Sequence, residues 1–194
     1  TMFILEVTLM NPPNTSREEI MRVSRKIVSE KGLPALNMRA LAKECGIALG
    51  TLYNYYSDKD ELVVAAIESV WQDILEKSAP DSGVRFSQYV MHIYARILSG
   101  LKDYPDFFAA HSISVAGSAK GKARGTMERC FGKIRGELHA ALREDKNVDR
   151  SIFSETFREE DLIEHILDTI TISIINGKPD CATLTEILDR LLYR

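Results

Sequence analysis

Cysteine is scarce in this sequence and shows no sign of pairing. The 194 residues contain three cysteines, Cys45, Cys130 and Cys181, which are widely spaced and odd in number. A disulfide framework needs an even set, and a structural zinc site needs close Cys-x-x-Cys pairs. The pattern argues against both kinds of site. We expect reduced, partly buried thiols in a cytoplasmic protein that holds no metal and no cofactor.

Long apolar runs are also missing. No run comes near the roughly 18 consecutive apolar residues that a membrane-spanning helix requires. The apolar stretch at residues 1–10 is short and has neither a basic leader nor a small-residue cleavage site, so it is a poor secretion signal. We therefore expect no membrane segment, and we interpret residues 1–10 as an N-terminal arm.

The chain has no overall excess of basic residues, because its formal net charge is −3 at pH 7. The charge is unevenly distributed, however. Residues 1–60 carry one more basic than acidic side chain, whereas residues 150–194 carry four more acidic than basic ones. Any contact with a polyanion is therefore expected in the first third of the chain, where few charges are available for it.

The residues that are abundant predict an all-α fold of about nine helices. Strand-like alternation is absent, apolar residues recur at steps of three and four, and glycine and proline mark the breaks. We divide the chain into a three-helix domain at residues 14–62 and an all-helical domain at residues 63–194. Glycines and lysines at residues 117–125 predict a solvated loop, since the spacing of a phosphate-binding loop is absent.

The region from residue 37 to residue 62 predicts two short helices joined by a tight turn and followed by the start of a third. Asn37 is placed to cap the first helix, Met38–Cys45, and Gly46 closes it. Leu49–Tyr56 forms the second helix. This is the arrangement of a helix-turn-helix, whose second helix enters the major groove of DNA.

The sequence from Gly50 to Leu62 carries a family resemblance. It reads Gly-Thr-Leu-Tyr-Asn-Tyr-Tyr-Ser-Asp-Lys-Asp-Glu-Leu, with a Gly-Thr-Leu-Tyr start, a two-aromatic finish and a lysine that opens the next helix. With the rest of residues 16–64, this segment resembles the N-terminal domain of the TetR family of bacterial transcriptional repressors. The resemblance implies a homodimer that binds a pseudo-palindromic operator and is released by a small-molecule effector held among the middle helices of the chain.

The second helix of this motif offers side chains that suit base edges. With Leu52 turned inward, its neighbours face outward: Gly50 allows close backbone approach, Asn54 suits adenine, and Thr51 suits a thymine methyl group or a phosphate. Three tyrosines within four positions cannot all pack into one core, because helical neighbours diverge by 100°. The alternative interpretation, in which these tyrosines only pack the core of a small helical bundle, is therefore the weaker one.

Other side chains of the motif suit phosphate oxygens, which position the protein without reading sequence. The resemblance implies such roles for Tyr53, Tyr55 and Lys59, and it also implies a DNA contact for Thr51. Arg39 opens the preceding helix and is placed to reach a phosphate or a base edge. Family members often carry a hydroxyl where Ala48 stands. The predicted DNA contacts are Arg39, Ala48, Gly50, Thr51, Tyr53, Asn54, Tyr55 and Lys59.

Aromatic residues with a few polar tips predict a pocket for an apolar or aromatic effector in the second domain. For each of them, ordinary core packing is the alternative. The predicted pocket residues are Trp71, Tyr89, His92, Tyr94, Phe107, Phe108 and His111.

The last two predicted helices have wide apolar faces. Two such helices can pack against a symmetry mate as a four-helix bundle, although the same surface could be consumed within one subunit. The predicted dimer contacts are Leu162, Ile163, Ile166, Ile170, Ile174, Leu184, Ile187, Leu188 and Leu191.

Two other classes of function stay open at this point. The chain could be an all-helical small-molecule-binding protein or enzyme that retains a helix-turn-helix head, or a DNA-binding protein that responds to no ligand. An enzyme is disfavoured because no catalytic constellation has recognisable spacing, and His92 and His111 are weak candidates for acid–base groups. Asp161 and His165 face alike on one helix, but a solvated acidic face explains them better than a metal site does.

Overall fold

The computed structural model describes residues 15–76, 83–105, 107 and 120–193, without the side chains of residues 120–127 and 130. Within these ranges the chain forms eight α-helices, two short 3-10 turns and one isolated β-bridge, which confirms the all-α prediction. The helices are α1 (Arg17–Lys31), α2 (Met38–Glu44), α3 (Leu49–Tyr53), α4 (Lys59–Glu76), α5 (Phe86–Lys102), α6 (Lys120–Glu144), α7 (Glu159–Ile175) and α8 (Ala182–Leu192).

Two predicted boundaries are wrong. The recognition helix α3 ends at Tyr53 instead of Tyr56, and Tyr56 is buried in the turn that follows. The predicted loop at residues 117–125 is helical from Lys120 onward, while residues 117–119 lie outside the described ranges. Lysine, alanine and arginine are good helix formers, and their preference outweighs that of the interspersed glycines.

Side chains cap the starts of the first two helices, and the cap at Asn37 is the predicted one. Ser16 caps α1 by accepting a hydrogen bond from the Glu19 amide at 3.1 Å, and Asn37 caps α2 by accepting one from the Ala40 amide at 2.9 Å. Between them, Gly32 adopts a positive φ of 77°. These caps fix where each helix starts, and so they fix which side chains of α1 and α2 face the shared core.

Helix α4 connects the three-helix head with the rest of the chain. At its start, the Glu61 amide donates to Asp58 at 2.7 Å, while the Glu61 carboxylate accepts from the Ser57 amide at 2.8 Å, which is a reciprocal capping arrangement. Along α4, apolar side chains are buried from the head to the body: Leu62, Ala66, Ile67, Val70, Trp71 and Ile74. The head therefore shares one continuous core with the body.

A second, polar connection joins head and body, and we call Arg25, Ser69, Asp73 and Tyr104 the head–body junction. Arg25 of α1 donates to the Ser69 hydroxyl at 2.5 Å and lies 3.9 Å from the Asp73 carboxylate, both on α4. The Tyr104 hydroxyl, just after α5, donates to the same carboxylate at 2.8 Å. Beside it, the Ser29 hydroxyl donates to the carbonyl of the residue before Tyr104 at 2.6 Å.

A chain of aromatic rings extends from the junction into the body. The ring of Tyr104 lies 6.2 Å from that of Phe107, which meets Trp71 edge-on at 6.0 Å. Trp71 in turn lies 6.4 Å from Phe131 of α6. These separations suit direct aromatic contact. The rings therefore form a continuous set of contacts from Phe131 of α6 to the tyrosine that bonds Asp73.

The opposite end of the body is held together by one buried carboxylate. Asp145, directly after α6, accepts hydrogen bonds from the Phe86 amide at 2.9 Å, the Tyr193 hydroxyl at 2.6 Å and the Asn147 amide at 3.0 Å. Burial alone would raise the pKa of Asp145, but these donors outweigh it and lower the pKa. Burial, together with the hydrogen bond to Asp145, raises the pKa of Tyr193 to about 12.

Candidate nucleic-acid interface

The α2–turn–α3 unit is held by a small number of buried contacts. Gly46 takes a positive φ of 67° in the turn, and the Ile47 amide donates to the Ala42 carbonyl at 3.0 Å. Leu41 and Leu52 are fully buried between the helices. Because Leu52 points inward, the other side of the five-residue helix α3 must face solvent.

The outward side of α3 carries the residues that were predicted to read DNA. Gly50, Thr51, Tyr53 and Asn54 are exposed, and Tyr53 keeps half of its surface accessible. Within the described ranges, the side chains of Tyr53 and Asn54 form no hydrogen bond with the protein. Ala48 is also exposed and gives α3 no side-chain cap. The geometry therefore leaves donors and acceptors on this surface available to another molecule.

Tyr55 is placed differently from the prediction. It is half-buried, and its hydroxyl donates to the Thr15 carbonyl, while Arg17 donates to the Tyr55 carbonyl at 2.7 Å. A phosphate oxygen only accepts hydrogen bonds, and a tyrosine hydroxyl has a single proton to donate. A phosphate contact from Tyr55 would therefore have to break the bond to Thr15. In this conformation the residue fastens the end of α3 to the start of α1.

The basic side chains of the head fall into two groups. On α1, Arg22 is paired with Glu19 at 2.6 Å and Lys26 with Glu44 at 3.3 Å. By contrast, the predicted contacts Arg39 and Lys59 are exposed and have no ion-pair partner among the described residues. Their charges are therefore free to attract phosphate.

Lys43 belongs with Arg39 and Lys59, although the sequence reasoning missed it. It is exposed, forms no ion pair within the described ranges, and follows Arg39 by four residues on α2, so the two side chains share one face. The next residue, Glu44, bonds Lys26 of α1 and so marks the flank of α2 that faces α1. Lys43 lies on a different flank. Its i, i+4 spacing from Arg39 was the available signal.

Glycine at position 50 is not required by the protein's own packing. A Cβ atom added there would meet nothing within 4 Å, and the backbone is helical. Glycine in a helix costs roughly 0.5–1 kcal/mol relative to alanine. Glycine at this exposed position therefore lowers the free energy of unfolding, and the packing of the protein does not require it.

The predicted effector pocket does not form as one cluster. Trp71 and Phe107 are buried in the aromatic chain, and Tyr94 is buried with its hydroxyl donating to the Lys178 carbonyl at 2.8 Å. His92 is exposed on the outer side of α5. Phe108 and His111 lie outside the described residues. The predicted set is therefore divided between core and surface, because residues on opposite sides of α5 cannot line one cavity.

Tyr89, a member of that set, lines a cavity among the described residues. We call this cavity the α5–α6 groove. It has a volume of about 430 Å³ and lies between the start of α5 and the end of α6. Its walls include Val84, Tyr89, Glu137, Ala140, Ala141 and Glu144. The groove is a full helix length away from the head–body junction, which contacts the other end of α5.

The predicted dimer contacts separate into three groups by burial, and we correct the prediction for the largest one. Six side chains on α7 and α8 are buried within the single subunit and have no surface left for a partner: Leu162, Ile163, Ile166, Ile170, Leu184 and Leu188. Ile174 is half-buried. Ile187 and Leu191 are exposed, as are Ile172 and Ile175, which the predicted set did not include. An apolar pattern does not distinguish a subunit's own core from its interface.

The acidic face of α7 is occupied by ion pairs. Asp161 is held by Arg158 at 2.9 Å, which lowers the pKa of Asp161 to about 2, and Glu164 is bound by Arg135. In the described part of the chain, no cluster of side chains could hold a metal ion. None of the helices within the described ranges has the length and apolar character needed to cross a lipid bilayer.

The head of the chain is similar in sequence to a known family of proteins. Residues 20–66 match the family model of bacterial regulatory proteins, tetR family. An uncharacterized HTH-type transcriptional regulator of Haemophilus influenzae is 32% identical over 99 residues, which are 45% of this chain and 53% of that protein. The HTH-type transcriptional regulator UidR of Escherichia coli K12 is 32% identical over 77 residues, 39% of each chain. The matches thus span about half or less of these relatives.

Solved structures extend the likeness to the whole fold. The multidrug binding protein EbrR complexed with imidazole superimposes with a TM-score of 0.63 over 92% of this chain and 95% of its own, at 18% identity. BioQ of Mycobacterium smegmatis superimposes with a TM-score of 0.58 over 84% of this chain and 81% of its own, at 17% identity. At this level of identity the similarity establishes the fold alone.

Substituting Gly50 separates the needs of the fold from those of a DNA contact. Gly50→Ala should raise the free energy of unfolding by about 0.5–1 kcal/mol through helix propensity. If DNA approaches the backbone here, the same methyl group should weaken duplex binding about tenfold or more. Denaturant titrations and fluorescence anisotropy with duplex DNA measure the two effects.

Gly136→Ala is the matched control for this substitution. Gly136 is an exposed helical glycine in α6, and a Cβ atom there also meets nothing within 4 Å. It should stabilise the protein to the same extent and leave DNA affinity unchanged. Equal DNA affinities for wild type and Gly50→Ala would show that no close approach occurs at position 50.

Proposed function

We infer that this chain, which belongs to the tetR family of bacterial regulatory proteins, is a DNA-binding transcriptional regulator. The observation that carries this inference is the exposed side of α3, where Thr51, Tyr53 and Asn54 stand free of the protein core. The cations Arg39, Lys43 and Lys59 supply nearby positive charge. Together they offer groups for base edges and for phosphates, the two kinds of contact that a helix-turn-helix makes.

We further propose that the regulator is a repressor and that a small apolar or aromatic effector releases it from its operator. The fold neighbour EbrR has been crystallised with imidazole and with proflavin, which are both aromatic. A ligand that binds one orientation of the head better than another shifts the population toward that orientation. We place DNA binding in residues 14–62 and effector binding in residues 63–194, in a cytoplasmic protein that is not an enzyme.

The head–body junction suits the coupling that such release requires. Arg25 belongs to the head and pairs with the Asp73 carboxylate of α4 at 3.9 Å, whereas Tyr104 belongs to the body and donates a hydrogen bond to the same carboxylate. Burial, together with the hydrogen bond to Asp73, raises the pKa of Tyr104, so its hydroxyl stays protonated at neutral pH. We propose that this shared carboxylate holds the head in one orientation relative to the body.

We propose that the functional unit is a homodimer joined through α7 and α8. Four apolar side chains on these helices are exposed in the single chain: Ile172, Ile175, Ile187 and Leu191. Ile172 and Ile175 are spaced i, i+3 on α7, and Ile187 and Leu191 are spaced i, i+4 on α8, so each helix presents an exposed apolar pair on one face. A twofold-related pair would place two α3 helices against successive major grooves, which lie about 34–36 Å apart along one face of DNA, and a pseudo-palindromic operator follows from that symmetry.

Two substitutions on α3 test the proposed reading of DNA. Asn54→Ala should relax the preference at one base position by about 1–3 kcal/mol, because it removes a base-edge contact. Tyr53→Phe should weaken binding similarly on all sequences, since it removes one donor to phosphate. Gel-shift selection from a randomised operator library measures both. An unchanged sequence preference for Asn54→Ala would contradict the base-reading role.

A charge placed on the exposed apolar face tests the dimer. The double substitution Ile172→Glu and Ile187→Glu should yield a folded monomer in sedimentation velocity, because both side chains are accessible in the subunit but would be buried between subunits. Met91→Glu is the control, since Met91 is an exposed apolar residue on α5 and its variant should remain dimeric. A dimer that survives the double substitution would rule out this interface.

Removing one hydroxyl tests the junction. Tyr104→Phe should lower the free energy of unfolding by about 1–2 kcal/mol and weaken DNA binding several-fold, because a less restrained head must be ordered on binding. Tyr94→Phe removes a comparable buried hydrogen bond, to Lys178, and should destabilise the protein without changing DNA affinity. Equal losses of DNA affinity in the two variants would refute the coupling role.

A further inference from the structure

The α5–α6 groove is large enough for a ligand and lies away from the predicted DNA contacts. Its volume of about 430 Å³ falls within the range of small-molecule sites. Tyr89 lies in the first turn of α5, whereas Tyr104 of the junction follows the end of that helix, 15 residues further on. A helical segment of that length spans about 22 Å. A ligand in this groove would therefore touch neither the head nor the junction.

The charges on the groove walls favour a cation. Glu144 is exposed and has no ion-pair partner among the described residues. Glu137 accepts from the buried Arg96 at 2.6 Å, so its charge is largely compensated, and Asp145 is buried with its three donors. Lys146 is the basic side chain among the residues that line the groove, and it is exposed. Glu144 is thus the carboxylate available to a ligand.

The direction of α6 adds to this preference. The groove lies at the C-terminal end of a 25-residue helix, where backbone carbonyls without helical partners create a negative potential. The same helix end already binds one cation of the protein. Arg150 donates to the Leu142 carbonyl at 2.5 Å and approaches the Asp145 carbonyl at 3.4 Å. The groove thus shares a helix terminus that stabilises positive charge.

Part of the remaining wall is apolar and includes one aromatic ring, while Asn147 adds a polar group. Val84, Ala140 and Ala141 have short side chains that leave the space open. Tyr89 is half-buried beside them, and burial raises its pKa, so the phenol stays neutral. A neutral tyrosine ring attracts a cation over its face. The nearby Arg85 makes such a contact with Tyr193, at 4.8 Å from the ring centre.

We propose that the α5–α6 groove is a binding site for an organic ammonium ion with an apolar body. The ammonium group lies near Glu144 and the end of α6, and the apolar body covers Ala140 and Ala141 against the ring of Tyr89. An anionic ligand of the same size would meet Glu144 and the negative end of the helix. Ligand binding in this groove does not require DNA binding, so a negative result for one proposal does not contradict the other.

A titration with matched small probes tests the proposal on the full-length protein. The probes are 3-phenylpropylammonium, the neutral 3-phenylpropanol and the anionic 3-phenylpropionate, and backbone amide NMR shifts report where each one binds. The ammonium should bind with a dissociation constant on the order of 1 mM, as expected for a ten-atom fragment, and should shift the amides around Tyr89 and Ala140. The alcohol and the carboxylate should bind at least about fivefold more weakly.

Two variants locate the interaction. Glu144→Gln keeps the shape of the side chain and should weaken ammonium binding about fivefold, whereas Ala140→Leu should abolish it by filling the groove. Glu160→Gln removes an exposed carboxylate on α7, outside the groove, and should change nothing. The proposal is overturned if the alcohol binds as well as the ammonium, if Glu144→Gln binds normally, or if no amide near the groove responds.

Discussion

The structure depends on the burial of Leu52, because α3 is too short to be stable by itself. An isolated helix of five residues does not persist in water, so tertiary contacts must hold it. Leu52 packs against the rest of the head, the turn bonds the Ile47 amide to α2, and Tyr55 joins the end of α3 to residues at the start of α1. These contacts keep α3 helical, and so they keep the residues of its exposed face in a fixed arrangement.

The head and the body are joined by contacts of two kinds. The apolar face of α4 is buried from Leu62 to Ile74 and carries no directional preference. At the junction, the Tyr104 hydroxyl donates a hydrogen bond to the Asp73 carboxylate, and Arg25 lies 3.9 Å from the same carboxylate as an ion pair. A hydrogen bond depends on direction as well as on distance. We therefore expect the bond from Tyr104 to restrict the orientation of the head more than the apolar contacts do, as the proposed coupling requires.

Local chemistry made the head predictable from the sequence. The cap at Asn37, the turn at Gly46 and the spacing around Leu52 each act within a few residues, and the structure contains all three. The body was harder to predict. The aromatic and apolar residues of the body were assigned to a pocket and an interface, but several of them pack inside the subunit. Which apolar side chain meets its own core is decided by helix contacts distant in sequence.

The α5–α6 groove illustrates the same limit. Tyr89 and Glu144 are separated by more than fifty residues, and neither belongs to a recognisable motif. Only the antiparallel packing of α5 and α6 brings them to one cavity. Lys43 differs, since its spacing from Arg39 was visible in the sequence, but an exposed lysine on a short helix is too common to single out without knowing which flank faces α1.

The carboxylate of Asp145 has a consequence for how the molecule opens. Its three donors come from the start of α5, the loop after α6 and the residue that follows α8. Freeing any one of them leaves a buried charge short of a donor, so these segments should exchange their amide hydrogens as a single cooperative unit. Because folding lowers the pKa of Asp145, its ionised carboxylate adds to the stability of this unit at neutral pH, and that contribution is lost as the pH falls below the ordinary aspartate range and the carboxylate becomes protonated.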